Sequence, residues 1–339
     1  MIMALRWGIV GAGSIAEKFI DALSTNLTTV EHKVVAICSH DEERAKSFAT
    51  KFKIQRFYAD YKSLAQDDMV EIAYIAVLNP QHYEVCLLML RYGKHILCET
   101  PFCMNEWQTD KVLQYARHHE LFAIAGIWSR FFPSYQHLKA MMERREIFDI
   151  REIYVKHGLK SDTNRRVTHK ALGGGVVLDL GAYAIQFVLL CYNEYPKSIK
   201  ATGKINSDNV DMYFEADLMF SGNRMARIVC SGLETYDNQA VIISKKGTVC
   251  LPSYCCPLSL IEPDCNIRTW WIPETEKYSN ATNSCNYLGL RYEADEAAKC
   301  IRAKSIYSRV LSHDEMILIA RIQDEIRRQI GVRYDCDKR

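Results

Sequence analysis

Short apolar runs rich in β-branched residues alternate with longer amphipathic segments along the first third of the chain. The runs occupy residues 7–10, 34–38, 72–78, 95–98 and 122–127. Because each run is strand-sized and is followed by a segment with helical spacing, the order is typical of repeated βαβ units. The pattern therefore predicts a doubly wound, parallel α/β domain over residues 1–126.

The pattern changes after residue 130, where β-rich runs follow one another and are joined by turn residues. These runs occupy residues 151–157, 198–205, 210–220, 224–230 and 240–251, and Lys245, Lys246 and Gly247 mark a hairpin tip in the last of them. Helical patterns cover residues 176–192, 292–303 and 312–330. Residues 127–339 are therefore predicted to form an α+β domain built on a mainly antiparallel sheet.

The charge balance argues against several classes of partner. Lys and Arg number 43 against 41 for Asp and Glu, with no long run of like charge, so we expect no nucleic acid and no membrane surface as a partner. Residues 1–7 reach Arg6 almost at once and lack the apolar run of a signal peptide. We also expect no later segment to approach about 18 uncharged apolar residues. These features predict a cytoplasmic protein.

The thirteen cysteines do not follow a metal-binding pattern. Most lie inside apolar runs, where a free cysteine behaves as a small hydrophobic residue. Cys250, Cys255, Cys256 and Cys265 form a cluster, but they lack paired CxxC spacing and have no histidine close by in the sequence. Packing explains this cluster better than zinc does, and we predict no metal site.

A glycine motif follows the first strand run and opens the first helical segment. Gly11, Gly13 and Ala16 form a GxGxxA element there. In a dinucleotide-binding turn the first glycine permits the tight turn, the second lets the backbone approach the pyrophosphate, and the small third residue keeps helix and sheet close. The helix N-terminus then offers N–H groups to the phosphates. The element predicts a Rossmann domain that binds a dinucleotide, although such a turn can also be purely structural.

The end of the second strand run bears on the choice between NAD and NADP. An acidic residue there would hydrogen-bond the ribose 2′-hydroxyl and repel a 2′-phosphate. This chain instead has Ser39 and His40, followed by Asp41 and Arg44, so hydroxyl, imidazole and guanidinium groups can meet a phosphate. The alternative is that these residues only cap the next helix. We predict NADP as the cofactor.

Polar residues also follow the run at 72–78. Asn79, Pro80, Gln81 and His82 come at the carboxyl edge of the predicted sheet, where ligands bind in open α/β folds. We predict that Asn79 and His82 reach the nicotinamide ribose. The alternative for His82 is a surface position on the first helical turn.

A second candidate site lies in the predicted helix at 176–192. Asp179 and Tyr183 are four residues apart and share a face, and the glycines at 173–175 allow this helix a close approach to the cofactor. Oxidation of an alcohol by hydride transfer needs a base for the hydroxyl proton. A tyrosine, with an ordinary pKa of about 10, can act as one if its phenolate is favoured. The alternative is a Tyr183 that only packs and an Asp179 that only anchors the helix.

Several further segments carry a resemblance to a known family. They are residues 4–10 (ALRWGIV), 79–82 (NPQH), 128–133 (WSRFFP), 173–175 (GGG), 178–183 (LDLGAY) and 337–339 (DKR). On these segments the chain resembles the glucose-fructose oxidoreductase and inositol dehydrogenase superfamily over nearly its whole length, and within it the dimeric dihydrodiol dehydrogenases. The resemblance implies NADP-dependent oxidation of trans-dihydrodiols and of D-xylose, with Tyr183 as acid/base. It also implies a small diol or sugar substrate bound by residues 127–339, and a homodimer formed through the sheet face of that domain.

One position departs from the pattern of this superfamily. Its members carry a Glu-Lys-Pro triplet after the fifth strand, and the resemblance implies a lysine that lowers the pKa of the catalytic tyrosine. Here the triplet is Glu99, Thr100 and Pro101, with Glu99 expected at the cofactor and Thr100 at the lysine position. A unit charge about 4 Å away is worth about 4 kcal/mol at an effective dielectric constant near 20, and threonine supplies none. A second hypothesis is therefore a cofactor-binding regulatory or sensor protein with little turnover.

Overall fold

The computed structural model describes residues 4–25, 28, 30–272 and 286–338. Contacts between Cα atoms group them into two compact units. The first unit takes its described residues from Met1–Cys103, Trp107–Trp128 and Ile272–His313, and the second takes them from Met104–Glu106, Ser129–Trp271 and Asp314–Arg339. The sequence placed a single boundary after residue 126, whereas the described part of 272–313 groups with the first unit.

A six-stranded parallel sheet forms the centre of the first unit. Its strands are β1 (Leu5–Val10), β2 (His32–Cys38), β3 (Arg56–Tyr58), β4 (Ile72–Ile75), β5 (His95–Cys98) and β6 (Ala123–Ala125). They are ordered β3-β2-β1-β4-β5-β6, and all neighbours pair in parallel. The order reverses between β1 and β4, where open α/β sheets bind their ligands. The predicted doubly wound domain is confirmed.

Helices connect these strands. They are α1 (Ser14–Leu23), α2 (Glu42–Phe52), α3 (Tyr61–Ala65), α4 (His82–Arg91) and α5 (Glu106–His118). β3 has no counterpart among the predicted runs, because three residues at a sheet edge are too few to show a period. The run predicted at 72–78 leaves the sheet after Ile75, since the chain there turns through a 3-10 helix (Asn79–Gln81) into α4.

Three aromatic rings in contact join β1, α1 and β4. Trp7 on β1 is fully buried, and its ring lies edge-on to Phe19 on α1 at 5.0 Å. Phe19 stacks on Tyr74 of β4 at 3.8 Å. Each such ring pair contributes about 0.5–1.5 kcal/mol beyond the area it buries. This packing fixes the two strands and the helix that border the glycine turn.

The second unit is built on an eight-stranded sheet. Its strands are β7 (Ile150–Gly158), β8 (Ser198–Ile205), β9 (Asp211–Met219), β10 (Met225–Ser231), β11 (Gln239–Ser244), β12 (Gly247–Leu251), β13 (Ser259–Ile261) and β14 (Ile267–Thr269). They are ordered β14-β13-β12-β11-β7-β10-β9-β8, and among these described strands β7 with β10 is the one parallel pair. The mainly antiparallel sheet is confirmed, as is the hairpin of β11 and β12 across Lys245 and Lys246. β13 and β14 were too short for the pattern to predict.

Among the described residues, the helices between β6 and β8 in the sequence are α6 (Pro133–Glu143), α7 (Arg165–Thr168), α8 (Val176–Asp179) and α9 (Gly181–Tyr192). The helix predicted at 176–192 is thus two helices that meet at Leu180. The stretch Lys170–Tyr192 is long and apolar enough to cross a membrane by composition, and 78% of its apolar window is buried inside the structure. The stretch contains Lys170 and Asp179, so it is not a run of about 18 uncharged apolar residues of the kind that the sequence analysis did not expect. Its burial is that of a core segment.

Two helices come late in the chain. α10 (Leu290–Arg302) packs against α1 in the first unit, and the guanidinium of Arg291 donates to the backbone carbonyls of Leu23 and Thr25. This contact explains why a single boundary along the sequence could not describe the first unit. α11 (His313–Ile330) belongs almost wholly to the second unit. Arg339, the last residue of the resemblance, lies outside the described residues.

Candidate active site

The turn between β1 and α1 requires glycine at one position and leaves space at another. Gly11 has a φ of +105°, and a Cβ there would lie 2.4 Å from the carbonyl oxygen of Ala76. Only glycine fits this position. Gly13 has an ordinary φ of −97°, and a Cβ there would meet no described atom within 4 Å. Gly11 therefore serves the fold, whereas Gly13 borders open space.

The start of α1 lies at this open space. Gly13 is the N-cap and provides no side-chain cap. The amide of Glu17 bonds to the carbonyl of Gly13 at 3.2 Å, so the amides of Ser14 and Ile15 precede the helical ladder. Ala16 is fully buried, which keeps α1 close to the sheet. An uncapped helix start beside open space suits a diphosphate, and these residues therefore fit a dinucleotide.

The residues after β2 combine a helix cap with a basic group. Asp41 accepts a hydrogen bond from the Arg44 amide at 3.0 Å and caps α2. Helix capping was the alternative to phosphate binding that the sequence left open for these residues. Ser39 is buried and its Oγ accepts from the Asp41 amide at 3.3 Å, while His40 is exposed. The Arg44 side chain crosses to the glycine turn, where Nε donates to the carbonyl of Ala12 at 2.9 Å. Arg44 thus serves both α2 and the turn.

His82 joins the loops that follow β4 and β5. It is 1% exposed, so it does not occupy the surface position considered from the sequence. Its Nδ1 lies 2.7 Å from the carbonyl oxygen of Pro101, and its Nε2 lies 3.1 Å from that of Val77. Because both ring nitrogens meet backbone carbonyls, the geometry favours a positioning role. Asn79, also predicted for the cofactor, is buried at the start of the same segment.

Two carboxyl groups lie near the end of β5. Glu99 accepts a hydrogen bond from the Tyr74 hydroxyl. Glu293 on α10 is fully buried, and neither of its carboxyl oxygens has a hydrogen-bond partner within the described chain. Burial, with the charge of Glu99, raises the pKa of Glu293 well above its ordinary value. Sequence reasoning missed Glu293, although its spacing from Leu290 and Ala297 places it on the apolar face of α10.

The predicted catalytic residues are divided between the units. Thr100 lies in the first unit and is 9% exposed, whereas Asp179 and Tyr183 lie in the second. Asp179 Oδ1 accepts a hydrogen bond from the guanidinium of Arg166 at 2.9 Å, an ion pair that ties α8 to α7. The geometry therefore favours the anchoring role for Asp179.

Tyr183 contacts a cluster that the sequence did not indicate. The ring of His157, on β7, lies edge-on to Tyr183 at 6.4 Å and to Tyr254 at 5.3 Å. Nδ1 of His157 lies 2.9 Å from the Tyr254 hydroxyl oxygen. No spacing or motif connects positions 157, 183 and 254, so only folding brings these side chains together.

A buried carboxyl group holds the loop before α8. Asp211, at the start of β9, accepts a hydrogen bond from the Val177 amide at 2.6 Å. Gly175 has a φ of +121°, and a Cβ there would lie 2.6 Å from Asp211 Oδ1. Burial raises the pKa of Asp211 to about 6, although the Val177 amide opposes the shift. Asp211 therefore positions the segment that carries Asp179 and Tyr183.

Replacing Asp211 with asparagine is expected to flatten the pH dependence of stability. A carboxyl group whose pKa rises on folding stabilises the native state below its unfolded pKa, and this contribution is lost as the pH rises through about 6. The parent should lose about 1 kcal/mol of unfolding free energy between about pH 5 and pH 8 that the variant does not lose. Urea unfolding checks this, with Asp162→Asn at an exposed position as control. Equal slopes in parent and Asp211→Asn would contradict the prediction.

Two family models match the chain. The first, described as an oxidoreductase family with an NAD-binding Rossmann fold, matches residues 5–127. The second, described as the GFO/IDH/MocA C-terminal domain, matches residues 135–250.

Curated relatives and solved structures extend the likeness to nearly the full length. The chain is 36% identical over 333 residues to trans-1,2-dihydrobenzene-1,2-diol dehydrogenase of Xenopus tropicalis. The matched region covers 98% of this chain and 100% of the relative. Levoglucosan dehydrogenase in complex with NADH and levoglucosan matches with a TM-score of 0.83 at 16% identity, over 97% of this chain and 98% of that one. A 3-ketoreductase from Actinomadura kijaniata in complex with NADP and TDP-benzene matches with a TM-score of 0.80 at 20% identity. This match covers 98% of this chain and 99% of the ketoreductase chain. At these identities the two structures show the fold alone. The full-length likeness and the two family models establish that the chain belongs to the GFO/IDH/MocA family of oxidoreductases.

Proposed function

We propose that the chain is an NADP-dependent dehydrogenase that oxidises a CH–OH group of trans-dihydrodiols and of sugars of the D-xylose type. The observation that carries the proposal is the glycine turn, where Gly13 borders open space at an uncapped helix start and Arg44 reaches the same turn. The curated relatives support the dihydrodiol as substrate class. The two structural neighbours were solved with NADH and with NADP, so the preference for NADP rests on this chain's own residues after β2.

Residues of the first unit would hold the cofactor. Gly13 and the first amides of α1 would meet the pyrophosphate, and Arg44 would meet the 2′-phosphate together with Ser39 and His40. Asn79 and Glu99 would lie at the nicotinamide ribose, while His82 fixes the two loops that carry them. When bound, NADP supplies the acceptor for a hydride.

Tyr183 would act as the acid/base of the reaction. As the phenolate, Tyr183 would take the proton of the substrate hydroxyl as the carbon loses its hydride, and as the phenol it would return that proton in the reverse reduction. The edge-on ring of His157 restricts the orientation of the Tyr183 ring. Asp211 and the Asp179–Arg166 ion pair fix the segment that leads to Tyr183.

The proposed function is tested by absorbance at 340 nm. Purified protein is given NADP and, in separate assays, a trans-dihydrodiol and D-xylose, and the same assays are repeated with NAD. Production of reduced cofactor with the diol supports the dehydrogenase. Cofactor binding with no turnover of any diol or sugar would contradict it.

Replacing Arg44 with alanine is expected to weaken NADP binding by about tenfold and NAD binding by less than about threefold. The guanidinium would make a charge-assisted hydrogen bond to the 2′-phosphate, which only NADP carries. Titration of both cofactors checks this prediction. Lys46→Ala is the control, because Lys46 is an exposed cation on the same helix that does not share a face with Arg44. Equal weakening for NAD and NADP would contradict a role in 2′-phosphate recognition.

Thr100 supports a second candidate function. The family resemblance implies a lysine at this position, whose positive charge would lower the pKa of the catalytic tyrosine. Threonine cannot supply that charge. A protein that keeps the cofactor site but turns over little would act as a regulatory or sensor module. Such a protein would bind NADP and show no rate above that of the Tyr183→Phe variant.

The proposal also includes the oligomeric state of the protein and its location in the cell. The resemblance supports a homodimer formed through the sheet of the second unit, whose exposed positions include Tyr154 and Met219. We also propose a cytoplasmic location, as the sequence analysis expects.

A further inference from the structure

A buried glutamine lies on α9 one turn after Tyr183. Gln186 is fully buried, and residues three apart on a helix are neighbours, so it lies close to the face that carries Tyr183. A buried amide is costly unless it finds hydrogen-bond partners. The side chain of Gln186 finds three, and all of them belong to the second unit, as Tyr183 does. The mechanism proposed above gives Gln186 no role.

Arg130 fixes the orientation of the Gln186 amide. A guanidinium can only donate hydrogen bonds, so the atom that meets its Nε must be the carbonyl oxygen Oε1. Nε2 therefore faces two hydroxyl groups, 3.3 Å from Ser129 Oγ and 3.0 Å from the oxygen of Tyr135. Because the Tyr135 hydroxyl accepts there, its own hydrogen is donated to the carbonyl of Tyr254 at 2.9 Å. The direction of each bond from Arg130 to Tyr254 is thereby determined.

Arg130 is itself fixed in the interior of the second unit. It is 2% exposed and forms an ion pair with Glu315 on α11. Its Nη2 also donates to the backbone carbonyl of Gln186 at 2.8 Å, so the guanidinium binds both the backbone and the side chain of that residue. A rotation of α9 about its axis would break both contacts. Arg130 therefore holds α9 at the turn that follows Tyr183.

The same network reaches Tyr183 by a second route. The hydroxyl oxygen of Tyr254 lies 2.9 Å from Nδ1 of His157, and the ring of His157 lies edge-on to that of Tyr183 at 6.4 Å. Phe187, which follows Gln186 on α9, also packs edge-on against the ring of Tyr254 at 6.0 Å. Tyr183 is thus connected to Gln186 twice, once along the helix and once through side chains.

We propose that Gln186 is a positioning residue for Tyr183, which orients the tyrosine ring through α9 on one side and through Tyr135, Tyr254 and His157 on the other. The inference rests on the proposed function, because Gln186 has no chemistry of its own and acts through the acid/base. A displacement of about 1 Å at a reacting group can cost about a hundredfold in rate. A ring that is held from two sides avoids that loss.

Replacing Gln186 with leucine tests the proposal, because leucine has a similar size and makes no hydrogen bonds. We expect kcat for a trans-dihydrodiol to fall about 10- to 100-fold. KM and the affinity for NADP should stay within about threefold of the parent, since the change affects the orientation of the acid/base rather than binding. Steady-state kinetics and a cofactor titration measure these quantities. An unchanged kcat in folded Gln186→Leu would overturn the proposal.

A matched pair of hydroxyl removals keeps the test decisive if Gln186→Leu does not fold. Tyr135→Phe keeps the ring and breaks the link between Gln186 and Tyr254. Tyr192→Phe also removes a buried hydroxyl, one that bonds to backbone carbonyls at the far end of α9. Both should lower the melting temperature to a similar extent, but only Tyr135→Phe should lower kcat by about tenfold. Equal kcat in these two variants would count against the network.

A double variant separates positioning from a general loss of stability. A residue that acts only through Tyr183 has nothing left to orient in Tyr183→Phe, so adding Gln186→Leu should lower the residual rate by less than about twofold. Two losses that multiply would show that Gln186 acts independently of Tyr183. A parent chain that turns over no diol or sugar would refute the proposed function itself. Turnover by the parent, with a parental kcat in both Gln186→Leu and Tyr135→Phe, would overturn this inference alone.

Discussion

Replacing Tyr183 with phenylalanine should lower the turnover of a trans-dihydrodiol by about 10²- to 10⁴-fold, the range over which a positioned general acid/base contributes. The substitution keeps the ring that packs against His157 at 6.4 Å and removes only the hydroxyl that would take the substrate proton. Affinity for NADP should stay the same, because the proposed cofactor residues all lie in the first unit. Absorbance at 340 nm and a fluorescence titration of the cofactor measure the two quantities separately.

Tyr192 provides a matched control on the same helix. Its hydroxyl oxygen lies 2.8 Å from the carbonyl oxygen of Met225 and 3.1 Å from that of Arg151, so its single hydrogen bonds the backbone and the hydroxyl has a structural role. Tyr192→Phe should cost about 1–2 kcal/mol of unfolding free energy and leave turnover within about twofold of the parent. Equal turnover in Tyr183→Phe and the parent would remove Tyr183 from the mechanism.

Replacing Gly13 with leucine should weaken NADP binding by at least about a hundredfold without lowering the melting temperature. The side chain would enter the space in which the pyrophosphate approaches the first amides of α1, and losing two charge-assisted hydrogen bonds costs about 3 kcal/mol or more. The fold should tolerate the change, because the φ of Gly13 is ordinary and a Cβ there meets no described atom within 4 Å. Cofactor titration and thermal unfolding provide the two measurements.

A substitution at Gly11, in the same turn, is expected to damage the fold rather than the binding site. Its φ of +105° and the carbonyl of Ala76, 2.4 Å from a Cβ, predict that Gly11→Ala lowers the melting temperature. The two variants therefore separate damage to the fold from damage to the binding site. NADP affinity retained in Gly13→Leu would show that the phosphates do not bind at this turn.

Hydrophobic patterning was sufficient for the fold because each regular element leaves its own period in the chain. β1, β4 and β5 appeared as apolar runs, and Gly11, Gly13 and Ala16 marked the turn that follows β1. The eight-stranded sheet was likewise predicted at its longer strands, while the three-residue strands β3, β13 and β14 were too short to show a period. Breaks inside an apolar stretch also left no signal, as the division of 176–192 at Leu180 shows.

The sequence by itself determined the order of strands and helices, the glycine turn and the residue types at the ends of β2, β4 and β5, because these depend on neighbours along the chain. Only the tertiary structure decided which distant side chains meet. It brought Arg44 to the carbonyl of Ala12, and it buried Glu293 in the unit that holds Glu99. It also assembled His157 with Tyr183 and Tyr254 from three separate parts of the chain. Such contacts follow from packing between elements far apart in sequence, and burial then raises the pKa of a group such as Glu293.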